Sequence, residues 1–280
     1  LSVNDSKIGA VVGVMDGHVS LQATKDLRLA AIFNPTAIPS SVRVGDYGAF
    51  YFTYAPTAGA SVLSVSGDIS WALEADNVFG NFDQLNRAVK TRDKQDALIY
   101  PDATNNSAAA MVTPPSLALA ALSGDIAVSA SKRPMPLTLF PSSVGQLDLY
   151  AGRDIKMSQE MVMADGDVTL WPQVGAKKQV GLDRLGSSRL YNALLNYKVG
   201  GSMPSTLHQA DQQVIHIHAD RDIGSTEAGY NQAGWNVPKA AEVTAGRDII
   251  GLTFVGQQFQ DTDVTRIEAG RNIQGKNTGS

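Results

Sequence analysis

One recurring phrase limits what this chain can fold into more than any other feature. In Leu147-Asp148-Leu149-Tyr150-Ala151-Gly152-Arg153-Asp154-Ile155, apolar and polar residues alternate, a Gly-Arg-Asp step interrupts, and an isoleucine resumes the pattern. Near copies run from Glu242 to Ile249, from Arg266 to Ile273 and from Ile215 to Ile223. Looser copies end in Ser66-Gly67-Asp68-Ile69, Ser123-Gly124-Asp125-Ile126 and Asp165-Gly166-Asp167-Val168, and the earliest runs from Val19 to Leu27. Such self-similarity marks a repeat architecture, in which each unit is one supersecondary element.

Alternation with period two describes a strand with one buried face. Leu147, Leu149 and Ala151 form the apolar face, and Asp148 and Tyr150 the other. The Gly-Arg-Asp step bends the chain: Gly152 tolerates a positive φ, and Asp154 can hydrogen-bond nearby backbone. Apolar residues then return at Ile155 and Met157, at Ile69 and Trp71, and at Ile126 and Val128. Each unit therefore reads strand, corner, strand. One unit cannot bury its apolar face alone, whereas units stacked in register bury a continuous core. The arrangement that fits is an all-β parallel β-helix, a solenoid. Its corner aspartates would stack and repel, and Arg153, Arg221, Arg247 and Arg271 would offset that repulsion. The Arg-Asp step is thus read as corner chemistry rather than as a catalytic pair.

The 280 residues hold 26 Gly, only 18% charged residues and a net charge of -4, which suits a turn-rich β protein and gives no footprint for nucleic acid. No run is long and apolar enough to cross a membrane as a helix. The chain has no cysteine, so it forms neither disulfides nor thiolate metal sites, which suits transit through an oxidising compartment in an unfolded state. No signal segment is visible at Leu1, and neither end carries a polar, atypical cap. The expectation is one β-helix segment over 1–280, part of a longer repeat protein.

Along the chain, Ile8 to Asp16 reads as a buried strand, and Val42 to Tyr54 as strongly β. Two stretches break the pattern. Around 76–106, Phe82, Leu85 and Val89 lie at helical spacing among charged residues. Around 177–201, Leu190, Ala193, Leu194 and Tyr197 do the same before Gly200-Gly201. Both read as short helical insertions outside the solenoid. Pro115 to Ile126 and Phe140 to Ile155 look like a local duplication. Gly234-Trp235-Asn236-Val237-Pro238 reads as a connection between units.

The repeated Ala-Gly-Arg-Asp-Ile and Ser-Gly-Asp-Ile phrases, with the lead-in Phe140-Pro141-Ser142-Ser143-Val144-Gly145-Gln146 before Leu147, resemble the filamentous haemagglutinin-like exoproteins of two-partner secretion systems in Gram-negative bacteria. The resemblance covers Val19 to Ile273 apart from the two insertions. It implies a right-handed parallel β-helix shaft, secreted or held at the outer cell surface, that passes through a dedicated outer-membrane transporter. Within that family such a shaft serves as an adhesin or as the stalk of a contact-dependent inhibition toxin. The implied partners are the transporter during export and a surface receptor, protein or glycan, with no nucleic acid, no membrane span and a monomeric state.

Several residues are of types that can carry chemistry. His216 and His218 share one strand face, near His208, Asp211 and Asp220, and could hold zinc or copper if a neighbouring coil added a ligand. The competing reading is a solvent-facing strand, since other copies carry Asp148, Thr244 and Glu268 there. Asp165 with Asp167, Asp220 with Asp222, and Asp261 with Asp263 are carboxylate pairs of the kind glycan-degrading β-helix enzymes use, although corner duty accounts for two of them. Tyr47, Phe50, Tyr51, Phe52 and Tyr54 form an aromatic cluster, read mainly as packing. No serine-hydrolase elbow, phosphate loop or zinc-protease motif occurs. The chain is accordingly expected to be a non-enzymatic display shaft with no catalytic, cofactor or metal residues assigned. A glycan-degrading enzyme and a toxin-delivery stalk stand as the alternatives.

Overall fold

Alternating strands broken at regular corners stack here into three parallel sheets. The computed structural model describes residues 9–37, 52–72, 112–129, 136–165, 168, 207–225 and 233–275. A first strand, β1 (Ala10–Gly13), precedes seven coils. Each coil gives one strand to a front sheet and, after the corner, one to a side sheet. Five coils also give a described strand to a rear sheet. The first coil holds β2 (His18–Ala23) and β3 (Leu27–Phe33). The second holds β4 (Gly59–Ser64), β5 (Ile69–Ala72) and β6 (Val112–Thr113), and the third β7 (Ser116–Ala121), β8 (Ile126–Ser129) and β9 (Leu137–Leu139). The fourth holds β10 (Leu147–Ala151), β11 (Ile155–Met157) and β12 (Glu160–Met163), and the fifth β13 (Ile215–Ala219), β14 (Ile223–Ser225) and β15 (Gly234–Val237). The sixth holds β16 (Ala241–Ala245), β17 (Asp248–Ile250) and β18 (Thr253–Gly256), and the seventh β19 (Arg266–Ala269) and β20 (Asn272–Gln274).

Every described strand pair is parallel. The front sheet runs β2-β4-β7-β10-β13-β16-β19, the side sheet β1-β3-β5-β8-β11-β14-β17-β20 and the rear sheet β6-β9-β12-β15-β18. This is the expected parallel β-helix. The two expected helical insertions, 76–106 and 177–201, lie outside the described residues, as does most of the expected Val42–Tyr54 strand. Phe52 to Ala55 form no strand.

Register turns the repeat into columns. Just after the corner, Leu27, Ile69, Ile126, Ile155, Ile223, Ile249 and Ile273 stack in the side sheet. Just before it, Ala23, Ser64, Ala121, Ala151, Ala219, Ala245 and Ala269 stack in the front sheet. The branched side chains fill the interior and the small ones let the chain turn. Ile69 to Ile223 are fully buried, each worth about 1.5–3 kcal/mol of apolar burial. The columns thin at the last coil, where Ile267 is 37% and Ile273 60% exposed.

Four local expectations need correction. Gly234 to Val237 is not a connection but β15, because Trp235 stacks on Met161 and Phe254 in the third wall. Asp165 is not at a corner either; it follows β12 of the rear sheet, and Asp167 lies outside the described residues. The Ile8–Asp16 run does form a strand from Ala10, but at the edge of the side sheet, so Val11 is exposed rather than buried. The corner glycines do not take positive φ, which among the described residues occurs only at Gly234 and Gly251. They are needed for closeness. A Cβ on Gly124 would lie 2.1 Å from the Gly67 carbonyl oxygen, and one on Gly152 2.2 Å from that of Leu122.

Gly124→Ala should therefore push two coils apart and destabilise the fold by about 1–3 kcal/mol or more. Gly17→Ala, where a Cβ meets nothing within 4 Å, should shift stability by less than about 0.5 kcal/mol. Urea unfolding of both variants checks the contrast; equal effects would contradict it.

Candidate functional site

A column of polar residues runs along the corners of the described coils. At each of six successive steps, the carboxylate of one coil's aspartate accepts the main-chain N–H of the equivalent residue in the next coil. Asp26 Oδ1 accepts from Asp68 at 3.0 Å, Asp68 from Asp125 at 2.9 Å, and Asp125 from Asp154 at 3.1 Å. Asp154 accepts from Asp222, Asp222 from Asp248, and Asp248 from Asn272, each at 3.1 Å. Backbone carbonyls continue the ladder around the bend: Arg221, Arg247 and Arg271 donate to the carbonyls of Arg153, Arg221 and Arg247. Where the bond is buried, as at the Asp154 N–H, a bend without this acceptor would leave the group unpaired at about 1–3 kcal/mol.

The arginines lean back along the column. Arg153 Nε donates to Asp125 at 3.0 Å and its Nη2 to Asp68, two coils back, at 2.9 Å. Arg221 pairs with Asp154 at 3.3 Å, Arg247 with Asp222, and Arg271 with Asp248. Lys156 adds a bond to Asp125 at 2.5 Å. Burial alone would raise the Asp125 carboxyl, but hydrogen bonds from Lys156, the Asp154 N–H and Arg153 outweigh it and hold the group below its ordinary value. Asp222 behaves likewise: burial opposes, and Arg247, the Asp248 N–H and Arg271 prevail. The stacked aspartates and compensating arginines are as expected. The main-chain role of the carboxylate had no sequence signal beyond the recurrence of Asp itself.

The two histidines of β13 do share the outer face of the front sheet, but their rings diverge along the stack. His216 Nδ1 lies 3.2 Å from Asp148 of the preceding coil, and its Nε2 4.0 Å from Glu242 of the following one. His218 Nδ1 bonds Thr244 of the following coil at 2.6 Å, its Nε2 meets Asp220 at 2.9 Å, and its ring stacks on Tyr150 with centroids 5.4 Å apart. Each imidazole is engaged by protein neighbours, and no cluster able to hold a metal ion occurs among the described residues.

Two of the paired carboxylates and part of the aromatic cluster also have structural work. Asp222 serves the corner ladder. Asp263 accepts the N–H groups of Phe259 and Gln260 at 2.8 and 2.9 Å, which closes a turn. Phe52 and Tyr54 pack against Phe140 with centroids 5.5 and 5.4 Å apart, and the Tyr54 hydroxyl donates to the Val112 carbonyl. Tyr47, Phe50 and Tyr51 lie outside the described residues.

One polar cluster escaped the sequence reading because its key member sits in what looked like a plain connection. Lys239, 2% exposed, donates from Nζ to Asp211 Oδ2 at 2.6 Å, Gln146 Oε1 at 2.9 Å and the Gly145 carbonyl at 3.2 Å. Its three donors are thus all used. The Asp211 side chain is 6% exposed, and His208, fully buried, places Nδ1 3.3 Å from the same carboxylate oxygen. Burial opposes ionisation of Asp211, but Lys239, the Gln213 N–H and His208 hold its carboxyl below the ordinary value. The cluster ties the fourth coil, the approach to β13 and the connection between β15 and β16 together.

No protein-family model matches the chain, and it matches no curated protein and no solved structure.

Asp125→Ala should destabilise by about 1–3 kcal/mol, since it orphans the Asp154 N–H and takes one carboxylate partner from both Arg153 and Lys156. Asp125→Asn keeps an acceptor and should cost less. Asp125 and Asp222 are held below the ordinary value of 3.8. Their stabilisation is therefore complete above that value and is lost as pH falls through the lower folded values. Urea midpoints measured from neutral pH down to about pH 3 should fall with pH in the parent, and less steeply in Asp125→Asn.

Proposed function

We propose that this chain is a non-enzymatic shaft segment of a secreted or cell-surface filamentous adhesin, exported by two-partner secretion, whose work is mechanical display. The observation that carries this reading is the corner column. A carboxylate repeated at six coils is committed at every coil to the next coil's main chain. Acid groups spent on holding one coil to the next are not free to protonate a glycosidic oxygen or activate water, which a carbohydrase needs from its carboxylates. The two sequence stretches that interrupt the repeat, 76–106 and 177–201, are the proposed contact regions, because binding residues concentrate on loops carried by a rigid scaffold.

The test replaces each stretch with a short Gly-Ser linker. Circular dichroism should still show a folded β protein, and flow cytometry with labelled protein should show that binding to host or bacterial cells is lost. Binding that survives both replacements, or release of oligosaccharides from a polysaccharide panel by the parent, would overturn the proposal.

A further inference from the structure

The buried Lys239–Asp211–His208 cluster lies just ahead of β13. Residues 207–214 are held there by three side-chain contacts, from Lys239, Gln146 and Gln260. Lys239 reaches Asp211, Gln146 Nε2 donates to the Val214 carbonyl at 2.6 Å, Gln260 Nε2 donates to the Gln209 carbonyl at 3.0 Å, and Lys239 also grips Gly145 and Gln146 of the fourth coil. His208 is the one member that titrates near neutral pH in its free form. Its Nδ1 faces Asp211, whereas its Nε2 is buried and has no hydrogen-bond partner.

A second proton on this ring has nowhere to go while the segment stays docked. The new N–H would be buried without an acceptor, and the ring would become a cation close to the Lys239 ammonium. The charged groups facing His208 are Asp211 from its own segment and Lys239 from the connection between β15 and β16; Gln146 and Gly145 are neutral. We propose that residues 207–214 form an acid-released latch, in which His208 takes up its second proton only by leaving its site, so that mild acid undocks the segment while the coils beneath it stay intact.

Burial first, and then the nearby Lys239, set the His208 imidazole below its ordinary value of 6.5, against the pull of Asp211. The docked state therefore binds fewer protons than the open one. Its advantage is full above the open-state value and is lost as pH falls from there through the docked value. Asp211, held below the ordinary carboxylate range, stays ionised over this window.

Hydrogen exchange of the full chain, corrected for intrinsic rates, reads this directly. For one histidine of ordinary open-state affinity, the opening constant of the 207–214 amides should rise about tenfold between about pH 7.5 and about pH 5.5. Amides of β10 and β13 should keep their protection. His208→Gln and His208→Phe should both abolish the pH dependence of opening. Opening that does not change with pH in the parent, or pH dependence that persists in either variant, would overturn the latch. Should neither variant fold, the ring resonances of His208 in the parent decide. Titration near its ordinary value with the 207–214 amides still protected contradicts the proposal, and titration that tracks their loss of protection supports it.

Discussion

The structure rests on one hydrogen bond made repeatedly: a corner carboxylate accepting the main-chain N–H of the same residue one coil on. A parallel β-helix has no difficulty along its strands, where each N–H meets a carbonyl of the neighbouring coil. The difficulty is the corner, where the chain turns from one sheet into the next and the strand ladder would lapse. Aspartate is the shortest side chain that can reach forward with a charged acceptor, and charge-assisted bonds of this kind are about twice as strong as neutral ones. The aspartate column therefore runs unbroken from Asp26 to Asp248, while arginine occupies only the four later corners. Where glycine stands in the arginine position, at Gly67 and Gly124, Arg153 reaches back across two coils to serve the earlier carboxylates.

Much of this was legible in the residues. The period-two alternation and the recurring corner specified parallel stacking, and the columns of isoleucine and alanine follow from aligning the copies. What stayed hidden had a different physical origin. The rear sheet was invisible as a repeat because its strands share no phrase. Leu137, Met161, Trp235 and Phe254 occupy one column with side chains of different shape, so similarity of sequence fails where similarity of volume suffices. The corner glycines were legible as turn residues, but for the wrong reason. They are set by the distance to the coil below, which no single copy of the phrase reveals. Lys239 was hidden because its partners lie 28 and 93 positions away in sequence.

The sheets differ in how they meet their surroundings. The front sheet presents an exposed outer column in which Asp148, His216, Glu242 and Arg266 stand beside one another. From β9 through β15 the rear sheet is buried on both faces, for Thr138, Val162 and Asn236 are as inaccessible as Leu137, Met161 and Trp235 opposite them, whereas β18 is only partly covered. Polar side chains on the front face satisfy one another across coils, which keeps the face soluble without giving it a convergent site. The same logic separates His216 and His218 from His208. The first two stand on the exposed face, whereas the third is sealed beside a lysine.

The corner, not only the strand, is a continuous hydrogen-bonded ladder. Hydrogen exchange of the corner amides tests it most directly. The N–H groups of Asp125, Asp154, Asp222 and Asp248 should be protected to the same degree as those of Leu149, Ile217 and Val243 in the adjoining strands. Corner amides that exchange at the rates of unprotected turns, while those strands remain protected, would contradict it.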